Sequence, residues 1–405
     1  MTPSGRSGSA PQAQGRTAPA SRRESHEGGG GAASAVPVAG ASRIVLKIGT
    51  TTLTGGGPVL DADRITAVAE DVAAAVRQKR QVLLVSSGAI VTGAGLLGRP
   101  RPRRLVEKQA LSAVGQPVLM QRYGAAFERL GLRTAQILLT RQDFADRRRY
   151  VNARQTLLAL LADGVVPVIN ENDTIATEEI QIGDNDTLSA LVASLVGADL
   201  LVMLSDVDGL MTADPRRQRA ARLIPTVARI DAEIVRVARR TVTAQGVGGM
   251  ATKIEAARIA TQSGVATVVT GGAAQRPLGR LLAGERLGTL FLPAGRLSGR
   301  GRWLAFGLVA RGTLVVDDGA GQALRRGKSL LPAGIVRIDG TFDAGAAVAI
   351  ADGRGQELAR GLVNYSSAHL ARIQGRRTSE IARVLGERTH DEAVHRDNLV
   401  VTVPR

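Results

Sequence analysis

Ile44-Val45-Leu46-Lys47-Ile48-Gly49-Thr50 reads as a buried strand that runs into a lysine and then a Gly-Thr turn. So short and nearly unbroken an apolar run belongs in a sheet covered on both faces. Runs of the same kind return at residues 82–86, 135–139, 165–169, 200–204 and 266–270. Amphipathic stretches lie between them, at 64–79, 112–130, 152–162, 187–195 and 253–263. The alternation predicts an α/β fold, a parallel sheet with helices on both faces. Ligands of such sheets sit beyond the carboxyl ends of the strands, which makes Gly49-Thr50 part of the functional edge.

The rhythm changes at both ends of this region. Residues 1–40 are Gly, Ser, Ala, Pro and Gln with scattered Arg, show no periodic apolar face, and are expected to be a disordered tail rather than a secretory signal. After 295, short segments at 312–316, 330–331, 335–339, 346–351 and 357–363 alternate with Gly, Asp and Pro turns, which predicts a small β-barrel followed by a helix at 367–374. The expected division is a tail at 1–40, a catalytic domain at 41–295 and a second domain at 311–388.

Composition removes several classes of function. The chain has no cysteine, so thiol nucleophiles, disulfides and thiolate metal sites are excluded. No apolar run reaches the roughly 18 residues of a membrane helix, and a soluble, cytoplasmic protein is expected. The formal charge of +17 would suggest nucleic acid, but the basic excess is spread along the chain and aromatic residues are only 2%. Only five of the 53 basic residues are lysine, at 47, 79, 108, 253 and 328. A lysine retained in so arginine-rich a chain carries more information than usual.

Five motifs fall at the expected strand ends. Lys47-Ile48-Gly49-Thr50 places a compact cation beside a Gly turn whose N–H groups can face phosphate oxygens. Ser86-Ser87-Gly88-Ala89 opens a helix with small residues and suits a carboxylate or phosphate. Asn170-Glu171-Asn172-Asp173 follows a strand directly, and Gly183-Asp184-Asn185-Asp186 concentrates more carboxylates and amides about ten residues later. Ser205-Asp206-Val207-Asp208-Gly209 ends another strand. Gly246-Val247-Gly248-Gly249-Met250-Ala251-Thr252-Lys253 is neither a Walker loop nor a dinucleotide fingerprint, but it has the parts of a phosphate cradle: glycines at a helix start and a lysine. Each motif alone also reads as an ordinary turn or solvated loop. Their order is what carries the information.

In that order they resemble the amino acid kinase family, across roughly residues 43–375. The likeness rests on these motifs and on Leu139-Thr140-Arg141, Asn152-Ala153-Arg154 and Thr212-Ala213-Asp214-Pro215. The C-terminal part looks like a PUA domain, on Asp317-Asp318-Gly319-Ala320, the stretch 329–335 and Gly361-Leu362-Val363-Asn364-Tyr365-Ser366. Ser205-Asp206 stands where the family often has Thr-Asp, and Ala251 where Ser is common. The resemblance implies a parallel-sheet α/β sandwich of the amino acid kinase type followed by a PUA-like barrel. It implies transfer of the γ-phosphoryl of ATP, with Mg²⁺, to the side-chain carboxylate of L-glutamate, the first step of proline synthesis. Lys47, Lys253 and Asp186 would be catalytic. Ser87, Asp173, Asn185 and Asp184 would hold the substrate. ATP would meet Lys47, Ser205, Asp206 and the loop Val247, Gly248, Gly249, Met250, Ala251, Thr252 and Lys253, with no metal held by protein side chains alone. Feedback inhibition by proline and a homodimer or homotetramer are implied in the same way. The competing expectations are another carboxylate kinase of the family, such as an acetylglutamate kinase or an aspartokinase, and an RNA-binding PUA protein.

Overall fold

The computed structural model describes residues 38–100, 102–176, 185–213, 218, 220–240, 249–294, 299–386 and 390–402. The expected tail falls outside these residues up to position 37. Asp184, Val247 and Gly248 lie outside them as well.

Eight strands form the larger sheet: β1 (Arg43–Ile48), β2 (Gln81–Ser86), β3 (Thr134–Leu139), β4 (Val166–Glu171), β5 (Leu200–Ser205), β6 (Thr226–Val227), β7 (Ala266–Gly271) and β8 (Thr289–Phe291). Their order is β3-β4-β2-β1-β5-β7-β8-β6. The helices that matter to the site are α1 (Thr50–Thr54), α2 (Ala62–Arg77), α3 (Ala89–Leu96), α4 (Leu105–Glu128), α5 (Arg141–Ala145), α6 (Arg147–Ala162), α7 (Asn185–Val196), α8 (Ala232–Arg240), α9 (Met250–Gln262) and α10 (Pro277–Leu282).

Strand periodicity divides the interior into two cores. Ile44, Leu46 and Ile48 of β1 pack with Ile65 and Val72 of α2, Leu119 and Phe127 of α4, and Leu278 of α10. Val45, pointing the other way, packs with Leu188 of α7, Ile254 of α9 and Leu157 of α6. Because alternate residues of a strand share a face, Lys47 goes with Val45, toward α7 and α9. The sequence pattern therefore aims the lysine before any chemistry is considered.

The six expected strands are present, five of them within a residue at either end and the fourth, β4, running two residues past the expected 169 to Glu171, and α4 begins seven residues before the expected 112, at Leu105. The sheet departs from pure parallel pairing beyond β7. β8 runs antiparallel to β7, with Val268 opposite Leu290, and β6 pairs parallel to β8. Strands of two and three residues are too short to show a period. Helix α8 was also not anticipated, although Asp231 Oδ1 accepts from the N–H groups of Glu233 and Ile234 in the manner of a helix cap.

α3 and α4 cross at a pair of glycines. A Cβ on Gly93 would stand 1.9 Å from the Leu111 carbonyl oxygen, and one on Gly115 would stand 1.9 Å from that of Ala89. Only hydrogen fits at either position, and the closeness brings one face of α4 to the carboxyl ends of β2 and β4.

The C-terminal part is built on a second sheet of β9 (Thr313–Val316), β10 (Ile335–Asp339), β11 (Ala347–Ala351), β12 (Glu357–Leu362) and β13 (Leu399–Val401), ordered β10-β9-β11-β12-β13. It surrounds a core of its own that includes Leu314, Ile350, Leu358 and Ile373. Trp303, Leu304, Ala305, Phe306 and Val400 join the core of the larger sheet, and Arg147 lies 5.1 Å from the centre of the Trp303 ring. Gln262, the last residue of α9, donates from Nε2 to the Thr402 carbonyl at 3.1 Å.

Candidate active site

Lys47 and Lys253 share one carboxylate. Lys47 Nζ lies 2.5 Å from Asp186 Oδ1, and Lys253 Nζ lies 3.2 Å from Oδ2. All three side chains are buried, Asp186 at 1% exposure. They arrive from three elements: the carboxyl end of β1, the first turn of α9 and the first turn of α7. Burial works to push the Asp186 carboxyl up, but the ammonium groups, Lys47 first and Lys253 second, outweigh it and hold the carboxyl at about 2. Among the described residues two buried cations meet at one carboxylate, and buried cations attract an anionic group far more strongly than they would in bulk water. Thr252 directs its hydroxyl to Asp186 Oδ2 at 3.0 Å and to the Gly249 carbonyl at 2.8 Å.

Next to the triad lies a cluster of amides and hydroxyls. Asn185, adjacent in sequence to Asp186, places Nδ2 2.8 Å from Ser87 Oγ, 3.0 Å from Asn170 Oδ1 and 3.2 Å from the Ser86 carbonyl. Asn170 in turn donates to Gln116 Oε1 at 2.9 Å. Asp173 accepts from the Ser112 hydroxyl at 2.7 Å. Burial raises the Asp173 carboxyl above the ordinary range, against the opposing effects of the Ser112 hydroxyl and the Lys108 charge. Of the expected substrate residues, Ser87 and Asn185 are in direct contact, and Asp173 is held from the neighbouring helix α4.

α4 contributes more to this cluster than the motifs indicated. Gln109, Ser112 and Gln116 lie at i, i+3 and i+7 on one face of the helix. Gln109 fixes the loop after β4 by donating to the Ala176 carbonyl at 3.0 Å, Ser112 holds Asp173, and Gln116 holds Asn170. That polar stripe on a mostly apolar helix was a readable signal. Ser86, at the end of β2, is tied to the same helix through a 2.9 Å hydrogen bond with the Tyr123 hydroxyl.

On the other side of the triad, where the nucleotide is expected, Ser205 is buried at the end of β5 and its hydroxyl reaches Asp206 Oδ1 at 3.1 Å. Gly249 precedes the first turn of α9 and Gly88 that of α3. Both N-caps are glycines, so neither supplies a side-chain acceptor to the first-turn N–H groups. Met250 turns into the core under α9, whereas Ala251 is exposed. Among the described residues no three His, Asp or Glu side chains are grouped as metal ligands, and Asp186 is committed to two ammonium groups.

The sequence model of the amino acid kinase family matches residues 42–271, and that of the PUA domain matches residues 312–385. A glutamate 5-kinase of Moorella thermoacetica is 50% identical over 364 residues, 89% of this chain and 96% of its own. The glutamate 5-kinase of Geobacter sp. (strain M21) is 50% identical over 362 residues, covering 89% and 97%. That of Caldanaerobacter subterraneus subsp. tengcongensis is 49% identical over 362 residues, with the same coverage.

Proposed function

Since the chain belongs to the amino acid kinase family, we propose that Lys47, Asp186 and Lys253 form its phosphoryl-transfer centre. The chain is an ATP-dependent kinase that phosphorylates the side-chain carboxylate of L-glutamate to L-glutamyl 5-phosphate, the first step of proline biosynthesis. The observation that carries the assignment of residues is the pair of buried lysines on one carboxylate, beside a cluster able to bind an amino acid.

Transfer between two oxyanions requires neutralisation of spread negative charge and in-line positioning, with no covalent enzyme intermediate. The substrate carboxylate is already a nucleophile and requires no base. Lys47 would follow the transferring phosphoryl group. Lys253 would stabilise the β-phosphate as it leaves, and Asp186 would keep both ammonium groups aimed. Lysine suits this better than arginine, being a compact charge on a movable stem. Asp173 and Asn185 would take the α-ammonium, with Ser87 and Asp184 nearby. Ser205, Asp206 and the 247–253 loop would meet ATP. Mg²⁺ carried on the nucleotide would supply further charge neutralisation between the phosphates.

We extend the proposal to a catalytic unit at 41–295 and a PUA unit at 311–388, to a dimer or tetramer in the cytoplasm, to feedback by proline, and to RNA as a secondary partner of the PUA unit. The deciding experiment is ADP release with glutamate, acetylglutamate or aspartate, each with and without proline. Turnover of glutamate well above the other two is expected. Preference for acetylglutamate or aspartate would overturn the substrate assignment.

A further inference from the structure

Gln116 touches none of the groups assigned to the reaction except through Asn170. It is 7% exposed, and its Nε2 has no hydrogen-bond partner among the described residues. The hydrogen bond its side chain makes is through Oε1, which accepts from Asn170 Nδ2 at 2.9 Å. A buried amide with half of its capacity unused is costly to keep, which suggests that the half in use matters.

The amide chain that begins at Gln116 has a fixed direction. Asn170 Oδ1 accepts from the Glu171 backbone N–H at 2.9 Å, so the nitrogen of Asn170 must be the atom that faces Gln116. The same Oδ1 accepts from Asn185 Nδ2 at 3.0 Å, and that nitrogen also lies 3.2 Å from the Ser86 carbonyl. A carbonyl only accepts and an amide nitrogen only donates. Asn185 is therefore held with its nitrogen turned into the protein, which leaves Oδ1 as the acceptor to offer a ligand. An α-ammonium group has only donors and needs such an oxygen.

We propose that Gln116 is a positioning residue for substrate recognition: by holding Asn170, it sets the amide of Asn185 so that Oδ1 meets the α-ammonium of the amino-acid substrate. The inference rests on the placement of the substrate at Asn185 and Asp173 argued above. Without the Gln116 oxygen, Asn170 Nδ2 is a buried donor with no acceptor. The side chain then gains by swinging away, and Asn185 loses the partner that orients it.

Steady-state kinetics of the full chain test this. In Gln116→Met the acceptor is gone, and the glutamate KM is expected to rise about tenfold, the worth of one lost hydrogen bond to a charged group, with the ATP KM and kcat unchanged. Gln116→Glu keeps an acceptor oxygen in either protonation state and should restore the glutamate KM. Should the Met variant fail to fold in a thermal melt, Gln116→Ala carries the same expectation. Normal glutamate saturation in Gln116→Met, equal shifts in the Met and Glu variants, or an ATP KM that rises alongside would each overturn the inference. Asn185→Ala separates the two levels. An unchanged glutamate KM there removes the substrate placement and the inference together, whereas a raised one beside normal saturation in Gln116→Met removes the inference alone.

Discussion

Lys253 Nζ and Asp186 Oδ2 lie 3.2 Å apart, a contact that ties the first turn of α9 to the first turn of α7. The proposed nucleotide loop and the proposed substrate cluster thereby share an ion pair, since Asn185 is the neighbour of Asp186 and Gly249 opens the helix of Lys253. Lys47→Ala and Lys253→Ala should each lower kcat by at least about a hundredfold, on the scale of removing one charge-stabilising donor, while the circular dichroism spectrum stays native. Near-normal rates of glutamate-dependent ADP release in both variants would dismiss the triad as catalytic.

Asp186 also has a signature in acid. Its carboxyl is held at about 2 in the folded chain against an ordinary 3.8, so its contribution to stability is present above the ordinary value and is lost as pH falls toward 2. Asp186→Asn should destabilise the protein by about 3–5 kcal/mol near neutrality, because two buried ammonium groups lose their counter-ion. Urea unfolding from pH 6 downward should show the gap between wild type and variant narrowing by about 2 kcal/mol as the native carboxyl is titrated. A gap independent of pH would contradict the ion-pair account.

For Asp173 the sign is reversed. Burial raises its carboxyl, so the folded chain binds a proton that the unfolded chain has already released, and this group lowers stability as pH rises through its folded value. Asp173→Asn keeps an oxygen for the Ser112 hydroxyl and removes the buried charge. Its melting temperature at neutral pH should equal or exceed that of wild type, while the glutamate KM rises by about 10- to 100-fold for loss of a charged hydrogen bond. A lower melting temperature with unchanged glutamate saturation would mark Asp173 as purely structural.

Gly115→Ala tests the crossing of α3 and α4. The new methyl would stand 1.9 Å from the Ala89 carbonyl oxygen and 2.5 Å from the Gly93 nitrogen, and relief requires the helices to part at a cost of at least about 1–3 kcal/mol. Gly124→Ala on the same helix meets nothing closer than 4.0 Å and should be neutral or stabilising by up to about 1 kcal/mol. Denaturant midpoints of the two variants should diverge in that direction. The glutamate KM should rise in the first alone, because Ser112 and Gln116 flank Gly115.

Much of this architecture could be read in advance because the central strands are buried on both faces. Ile44 to Ile48 and Leu200 to Leu204 could hardly be anything but strands between helices, and the motifs at their ends had to converge. Lys47 and Lys253 stood out because few lysines remain in the chain. The α4 stripe was missed for a physical reason: Gln109, Ser112 and Gln116 are spread over two turns and form no contiguous motif, so only the helix brings them to one face. The antiparallel edge of β8 and β6 was illegible because a strand of two or three residues has no period. The Thr252 hydroxyl meets Asp186 only because α7 approaches the first turn of α9, a contact that no local motif encodes.

Helices α3 and α9 at the site contrast with helices elsewhere in the fold. α2 and α6 begin on Asp61 and Asp146, whose carboxylates accept from their first-turn N–H groups, whereas α3 and α9 begin on Gly88 and Gly249 with no side-chain acceptor. A helix start without a cap is the part of a helix that frays first. Substrates bound at these two ends as proposed would supply the absent caps. Amide hydrogens in the opening turns of α3 and α9 should then exchange with solvent more slowly with ATP and glutamate present than without them, so that the order of these turns would follow the supply of substrate.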